Sequence, residues 1–401
     1  MGELLTMEKG RSPFSPGQPV SPDMFVGRHP QIARMLRSFS QIALGKQENL
    51  FVTGEYGIGK SSLISYVRQV GEREKNVIGF HVFLGGVSTL ETLVQQVVSR
   101  IIQHSQGKGV WDCLKDLLGR YVEQVELFKV KLNLSRLKKD APSLAHDFLP
   151  FLRRLWEKLG KHFDGMALFL DDLNGITRTP EFAAFIKSLV DEIATSGEEL
   201  PLLLALSGVP ERRMEILANQ PSVARIFDII EVNPLENDEV SDFFVKAYAS
   251  VNMSVEKDAL QHLVFYSGGL PKLMHELGDA VYWINTDDIV QRKDVVPGII
   301  TAADIVGRKY FEPIREALHS VDYHSILKKL GSSETGLEIS FKKADLAKGL
   351  SETEQKKLAN FLNRMKKLHA LFPGESRGEW VFPNRLVRLY LLLESSKENR
   401  S

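Results

Sequence analysis

The chain has 401 residues, 51 Lys and Arg against 51 Asp and Glu, and 43% hydrophobic residues. That length exceeds what one hydrophobic core fills, so more than one domain is expected, and the apolar content excludes wholesale disorder. A formal net charge of zero gives the chain as a whole no pull toward nucleic acid or a membrane surface, so any such surface has to be local.

Cys113 is the only cysteine, which excludes an internal disulfide and argues against structural zinc; a reducing, cytoplasmic setting is expected. Residues 1–23 carry Pro13, Pro16, Pro19 and Pro22 among Ser and Gly without an apolar run of signal-peptide length, and read as a flexible arm. No stretch approaches the roughly 20 apolar residues that cross a bilayer, so no membrane span is expected.

From 24 to 235 apolar strand-like runs alternate with amphipathic helical runs, the pattern of an α/β core with a parallel sheet. Strands are predicted at 50–53, 77–84, 167–171, 202–207 and 227–232. An insertion at about 105–145 interrupts the pattern, and within it residues 128–134 alternate like an exposed strand. Residues 236–304 turn helical, with predicted helices at 238–248, 255–265 and 271–283. From 305 to 401 the pattern changes again, with helices at 308–330, 343–349 and 352–368, then a hairpin whose turn holds Pro373, Gly374 and Gly378.

The run Gly54-Glu-Tyr-Gly57-Ile58-Gly59-Lys60-Ser61-Ser62 follows a predicted strand and opens a helix, the context that G-x-x-x-x-G-K-[ST] requires. Its glycines let backbone N–H groups turn inward around phosphate oxygens, and the helix directs its positive end at the same anion. Lys60 would reach the β and γ phosphates of ATP and Ser61 would ligate Mg²⁺. Downstream, 166–172 is a buried-strand run ending in Asp171 and Asp172. Asp171 at the strand's C-terminal end would hold Mg²⁺, and Asp172 would orient the attacking water; a strand end carrying two solvated acids is the plainer reading. Asp172 is one methylene shorter than Glu, which implies slow hydrolysis. Ser207 ends the next strand where a γ-phosphate sensor belongs, or simply starts the turn before Pro210. Arg225 precedes the last core strand, placed to meet a neighbouring subunit's phosphate or to be a surface arginine.

Together these residues resemble the AAA+ family, in the branch of the origin-recognition initiators and the STAND signalling ATPases. Phe25-Val26-Gly27-Arg28 is similar to the box that precedes the core in that branch and lies against adenine. Gly268-Gly269-Leu270-Pro271-Lys272 is similar to the element that opens a lid helix, with Pro271 near the base and Lys272 where initiators often place a sensor arginine. The resemblance implies a P-loop sheet of order 5-1-4-3-2, a helical lid, a C-terminal winged helix and assembly into homo-oligomers.

Residues 308–401 carry 18 Lys and Arg against 12 Asp and Glu, a basic excess within a neutral chain. The helices at 343–349 and 352–368 have helix-turn-helix form, and Arg377 sits at the hairpin tip. Lys356, Lys357, Lys366, Lys367 and Arg377 are therefore candidate contacts to duplex DNA; a solvated helix in a domain that binds a protein partner would show the same charges.

Overall fold

The computed structural model describes residues 9–18, 24–107, 112, 114, 117, 147–332 and 337–398. Most of the insertion, including 128–134, lies outside them. The chain divides into two compact units, Pro19–Asn233 and a second made of Met1–Gln18 with Pro234–Ser401.

The first unit runs α1 (His29–Ile42), β1 (Glu48–Thr53), α2 (Lys60–Lys75), β2 (Val77–Phe83), α3 (Leu90–Gly107), α4 (Phe148–Leu159), β3 (Gly165–Asp171), α5 (Pro180–Thr195), β4 (Leu202–Gly208), α6 (Pro210–Asn219) and β5 (Asp228–Glu231). Its five strands form a parallel sheet ordered β2-β3-β4-β1-β5, the expected order read from the other edge. The strands are unbroken apolar runs because helices cover both faces of the sheet: every residue of β3 and of β4 is buried. Parallel register sets Thr53 level with Gly208 and Phe83 level with Asp171. The loops after β1, β3 and β4 therefore emerge side by side at the carboxyl edge, where open α/β sheets bind ligands.

The second unit runs α7 (Asn237–Ala249), β6 (Ser254–Val255), α8 (Lys257–Ser267), α9 (Pro271–Ile284), β7 (Ile289–Val290), α10 (Arg292–Val306), α11 (Glu312–Glu316), α12 (Val321–Gly331), β8 (Ser340–Lys342), α13 (Lys343–Lys348), α14 (Glu352–Lys367), β9 (Phe372–Pro373), β10 (Glu379–Val381) and α15 (Arg385–Glu398). The single helix expected at 308–330 is broken: a π-helical turn at Gly307–Phe311 leads into α11, and α12 starts afresh after Ser320. Strands β8, β10 and β9 make a small antiparallel sheet whose β9–β10 hairpin turns at Gly378. A capping box between Ser351 and Glu354 starts α14. Arg388 of α15 is fully buried and closes the end of α12 by donating to the carbonyl oxygens of Leu330 and Gly331.

Residues 9–18 differ from the flexible arm read in the sequence. Phe14 is buried among Phe243, Phe244, Tyr248 and His275, a gain in apolar burial that offsets the entropy of ordering the arm. Gly278 makes room for that ring, since a Cβ there would stand 2.2 Å from Phe14. Lys9 caps the C-terminal end of α9 through the carbonyl oxygens of Tyr282 and Asn285, and the Tyr282 hydroxyl donates to Gly10.

Candidate functional site

The loop after β1 is shaped by two glycines. Gly59 adopts φ 98°, which an L side chain rarely tolerates, and this turn lets α2 begin at Lys60. Gly54 passes so close to β5's end that a Cβ would lie 2.4 Å from the Val232 carbonyl oxygen. Lys60 folds its ammonium onto the carbonyl oxygens of Gly54 and Glu55, 2.8 and 2.9 Å away. Burial pulls its pKa down, against the opposing charge of Asp171, Glu55 and Asp172.

Two strands away in the sheet, Asp171 is 1% exposed. His81 of β2 meets its Oδ2 at 2.9 Å, and the backbone N–H of Asp172 donates to Oδ1 at 2.9 Å. Burial would raise the Asp171 pKa, but the hydrogen bond and charge of His81, followed by Ser207 and Ser61, outweigh it and hold the carboxyl below its ordinary range. Asp172 makes this possible by adopting φ 59°, a left-handed turn that Asp tolerates. Its own carboxylate lies over Gly85, where a Cβ would come within 2.9 Å of Oδ2. Ser207 is wholly buried, and its hydroxyl meets no hydrogen-bond partner in good geometry among the described residues, though it lies near enough to Asp171 to favour ionisation. The fold thus brings Lys60, Ser61, Asp171, Asp172 and Ser207 to one edge.

Tyr56, from the middle of the loop, bridges outward: its hydroxyl donates to Asn174 Oδ1 at 3.2 Å, and its ring sits 5.7 Å from the Lys60 ammonium. Arg212 of α6 lies close to Tyr56 and is anchored on both carboxylate oxygens of Glu215. Sequence reading missed Tyr56 and His81. A polar residue inside the otherwise apolar run of β2 was the available signal for His81.

The other expected residues lie on several elements. Phe25 stacks on Tyr66 of α2 with ring centroids 4.7 Å apart, and Val26 beside it is part-buried. Arg28 spends its guanidinium on the carbonyl oxygens of Ile58 and Asn233. Arg225 is exposed and precedes β5, level with the amino edge of β1 by register, far from its own phosphate loop. Pro271 and Lys272 open α9 in the second unit, where Lys272 lies over the Tyr310 ring. Lys356, Lys357, Lys366, Lys367 and Arg377 are all exposed, on α14 and at the β9–β10 turn.

The AAA ATPase domain family matches residues 24–210, which contain the phosphate loop, Asp171 and Ser207. Residues 24–210 are an AAA ATPase domain. The whole chain is similar in fold to the ORC2 protein of Aeropyrum pernix, solved with ADPNP and ADP, at TM-score 0.57 and 14% identity over 97% of each chain. It is likewise similar to a Walker-type ATPase of Pyrococcus abyssi, at TM-score 0.50 and 18% identity over 92% of this chain and 96% of that one. The likeness is one of fold. No curated protein matches the chain at significance. No helix among the described residues is long and apolar enough to cross a membrane.

The AAA domain also fits a nucleotide-borne Mg²⁺. Among the described residues no cluster of three or more His, Cys, Asp or Glu could hold a metal alone. Mg²⁺ is characteristically taken by one or two protein ligands plus phosphates and water. One ionised carboxylate, with its orientation already fixed, is the ligand such a site needs.

Proposed function

We propose that this chain is an ATP-binding and ATP-hydrolysing AAA+ switch or remodeller that forms homo-oligomers in the cytoplasm and acts on duplex DNA through its C-terminal elements. The observation that carries the nucleotide half is the convergence of Lys60, Ser61, Asp171 and Ser207 at one sheet edge. The ADPNP and ADP in the Aeropyrum protein support an adenine nucleotide.

In this reading the loop from Gly54 through Gly57, Ile58 and Gly59 to Ser62 cradles the phosphates, and Lys60 turns from the loop carbonyls to the β and γ oxygens. Ser61 and Asp171 would hold Mg²⁺, which when bound neutralises charge shared between those oxygens. Asp172 orients the water for in-line attack, Ser207 registers the γ-phosphate, and Arg225 reaches the site of an adjacent protomer. Phe25, Val26 and Pro271 serve the base, Arg28 supports the loop, and Lys272 acts as a sensor from the second unit. Replacing Lys60 by Ala should abolish nucleotide binding in a direct titration; unchanged affinity would sink the assignment.

The DNA half rests on α12, α13 and α14 followed by the β9–β10 hairpin, the element order of a winged helix. Opposite the buried face of α14 (Leu358, Phe361, Leu362, Met365) stand Lys356, Asn360, Asn363 and Lys367. This ridge pairs phosphate-seeking cations with amides that can read base edges, and Arg377 extends from the hairpin turn. A second reading, a STAND-like nucleotide-controlled scaffold whose winged helix binds a protein, is favoured by one observation: Lys357 is engaged by Asp322 and Arg364 by the Ala317 carbonyl. Duplex binding at two salt concentrations separates the two. With Lys356, Lys357, Lys366, Lys367 and Arg377 all changed to Ala, DNA affinity should fall and the salt slope flatten by about 4, while nucleotide binding survives. Equal DNA affinity at both salts would favour the protein partner.

A further inference from the structure

His81 has no role in the proposed reaction above, although it is 5% exposed and its ring meets the Asp171 carboxylate. An imidazole buried in an apolar strand is costly unless its polar atoms are used. Its environment leaves it little freedom. The ring packs 4.4 Å from Phe83 and 6.3 Å from Phe169, centroid to centroid, and the backbone carbonyl accepts from Arg100 Nε at 2.9 Å. An ionised carboxylate can only accept, so the proton of this contact sits on Nε2 of His81.

We infer that His81 is a positioning residue for the divalent metal: its Nε2–H locks the Asp171 carboxylate in the orientation from which it can take Mg²⁺, without touching the metal itself. The inference rests on the reading of Asp171 as the metal-bearing acid. Two donors on different elements hold the two carboxylate oxygens, His81 from β2 on Oδ2 and the Asp172 N–H from the turn on Oδ1. Each oxygen keeps a further lone pair, so the clamp fixes direction while leaving the acid able to coordinate. Without His81 the Oδ2 oxygen would lose its donor from β2, leaving the carboxylate to the Asp172 N–H on Oδ1 and the nearby Ser61 and Ser207 hydroxyls, and freer to rotate in its slot. Partners of this kind behind a metal ligand characteristically change metal affinity by about 10- to 100-fold.

The test uses the full chain and a fluorescent ATP analogue, titrated with Mg²⁺ from an EDTA baseline. His81→Leu removes the donor, His81→Gln places an amide N–H near the position of Nε2, and His81→Asn carries the same amide on a stem too short to reach. The Leu and Asn variants should need about 10- to 100-fold more Mg²⁺ for half-maximal tightening, with Gln returning close to wild type and all variants binding metal-free nucleotide normally. If Leu does not fold, the contrast between Gln and Asn carries the test. Wild-type Mg²⁺ dependence in the Leu or Asn variant overturns the inference. So does an equal loss in Gln and Asn accompanied by weakened metal-free binding, which would make His81 a packing residue. Asp171→Asn run in parallel separates the two levels: if it too leaves the Mg²⁺ dependence unchanged, the assignment of Asp171 fails first.

Discussion

Arg28 donates to the carbonyl oxygen of Ile58 over 2.6 Å and to that of Asn233 over 2.8 Å, so one buried guanidinium ties the segment before α1 to the phosphate loop and to the chain leaving β5. Charged hydrogen bonds to such groups are worth about 1.5–3 kcal/mol. Arg28→Met keeps the aliphatic stem and loses the bonds. Nucleotide affinity should weaken by roughly 10-fold or more through a loosened loop, with the sheet intact by circular dichroism. Calorimetric affinity equal to wild type would mean that the loop orders itself without the clip.

Arg225 is expected to act on the neighbouring protomer. Arg225→Ala should bind ATP normally and hydrolyse it on the order of 10³-fold more slowly, the scale on which such arginines act. Mixing it with Lys60→Ala protein creates interfaces that join an intact loop to an intact arginine. Partial recovery of ATPase activity is the expected result. No recovery although mixed oligomers form would leave Arg225 outside the site.

Buried among aromatic rings, His275 has its pKa pushed down to about 4, and its Nδ1 accepts from the Ser15 backbone N–H at 3.1 Å. Folding therefore requires the neutral ring, while the unfolded chain binds a proton near pH 6.5. Stability is complete above about pH 6.5 and declines as the pH falls toward 4, by about 3 kcal/mol at most. Denaturation at pH 7 and pH 4.5 measures it. Replacement by Phe, which cannot titrate, should flatten that part of the pH profile; a profile with unchanged slope would assign the acid sensitivity to other groups.

Phe14→Ala should destabilise the second unit by about 3–5 kcal/mol, the range for emptying a buried aromatic site. The measurement is protection of α7 and α9 amides in hydrogen exchange. Protection indistinguishable from wild type would mean that the arm adds nothing to the helices beneath it.

Much of the AAA domain could be read from residues alone because its signals are local. A continuous apolar run makes a buried strand, and a strand, glycines, Lys and Ser in sequence make a phosphate loop; all five strands lie within two residues of expectation at either end. What escaped depends on partners distant in sequence. The helix α10 contains Pro297-Gly298, locally a turn signal; it is helical because Gly298 packs so tightly on Val281 that a Cβ would approach Cγ2 to 2.3 Å. His81 is ordinary in sequence until the sheet sets β2 beside β3. Arg28, expected at the nucleotide, bonds the carbonyl oxygens of Ile58 and Asn233, a role invisible without the loop's carbonyl directions. Residues 9–18, rich in Ser, Gly and Pro, gave no sign of the aromatic pocket that Phe14 fills.

That docked arm has a consequence for the order of events during synthesis. Ser15 and His275 are 260 positions apart, so Phe14 leaves the ribosome long before α7 and α9 exist to receive it. At typical elongation rates the wait is on the order of 10 to 50 seconds. Throughout it, the sheet of the first unit can complete itself while Phe14 stays unburied. The second unit cannot close its aromatic cluster until the segment around Phe14 returns to it. A nascent chain stalled after residue 233 should hence be protected in its sheet yet open to proteolysis near Phe14, and a chaperone that binds apolar N-terminal segments has a defined interval in which to act.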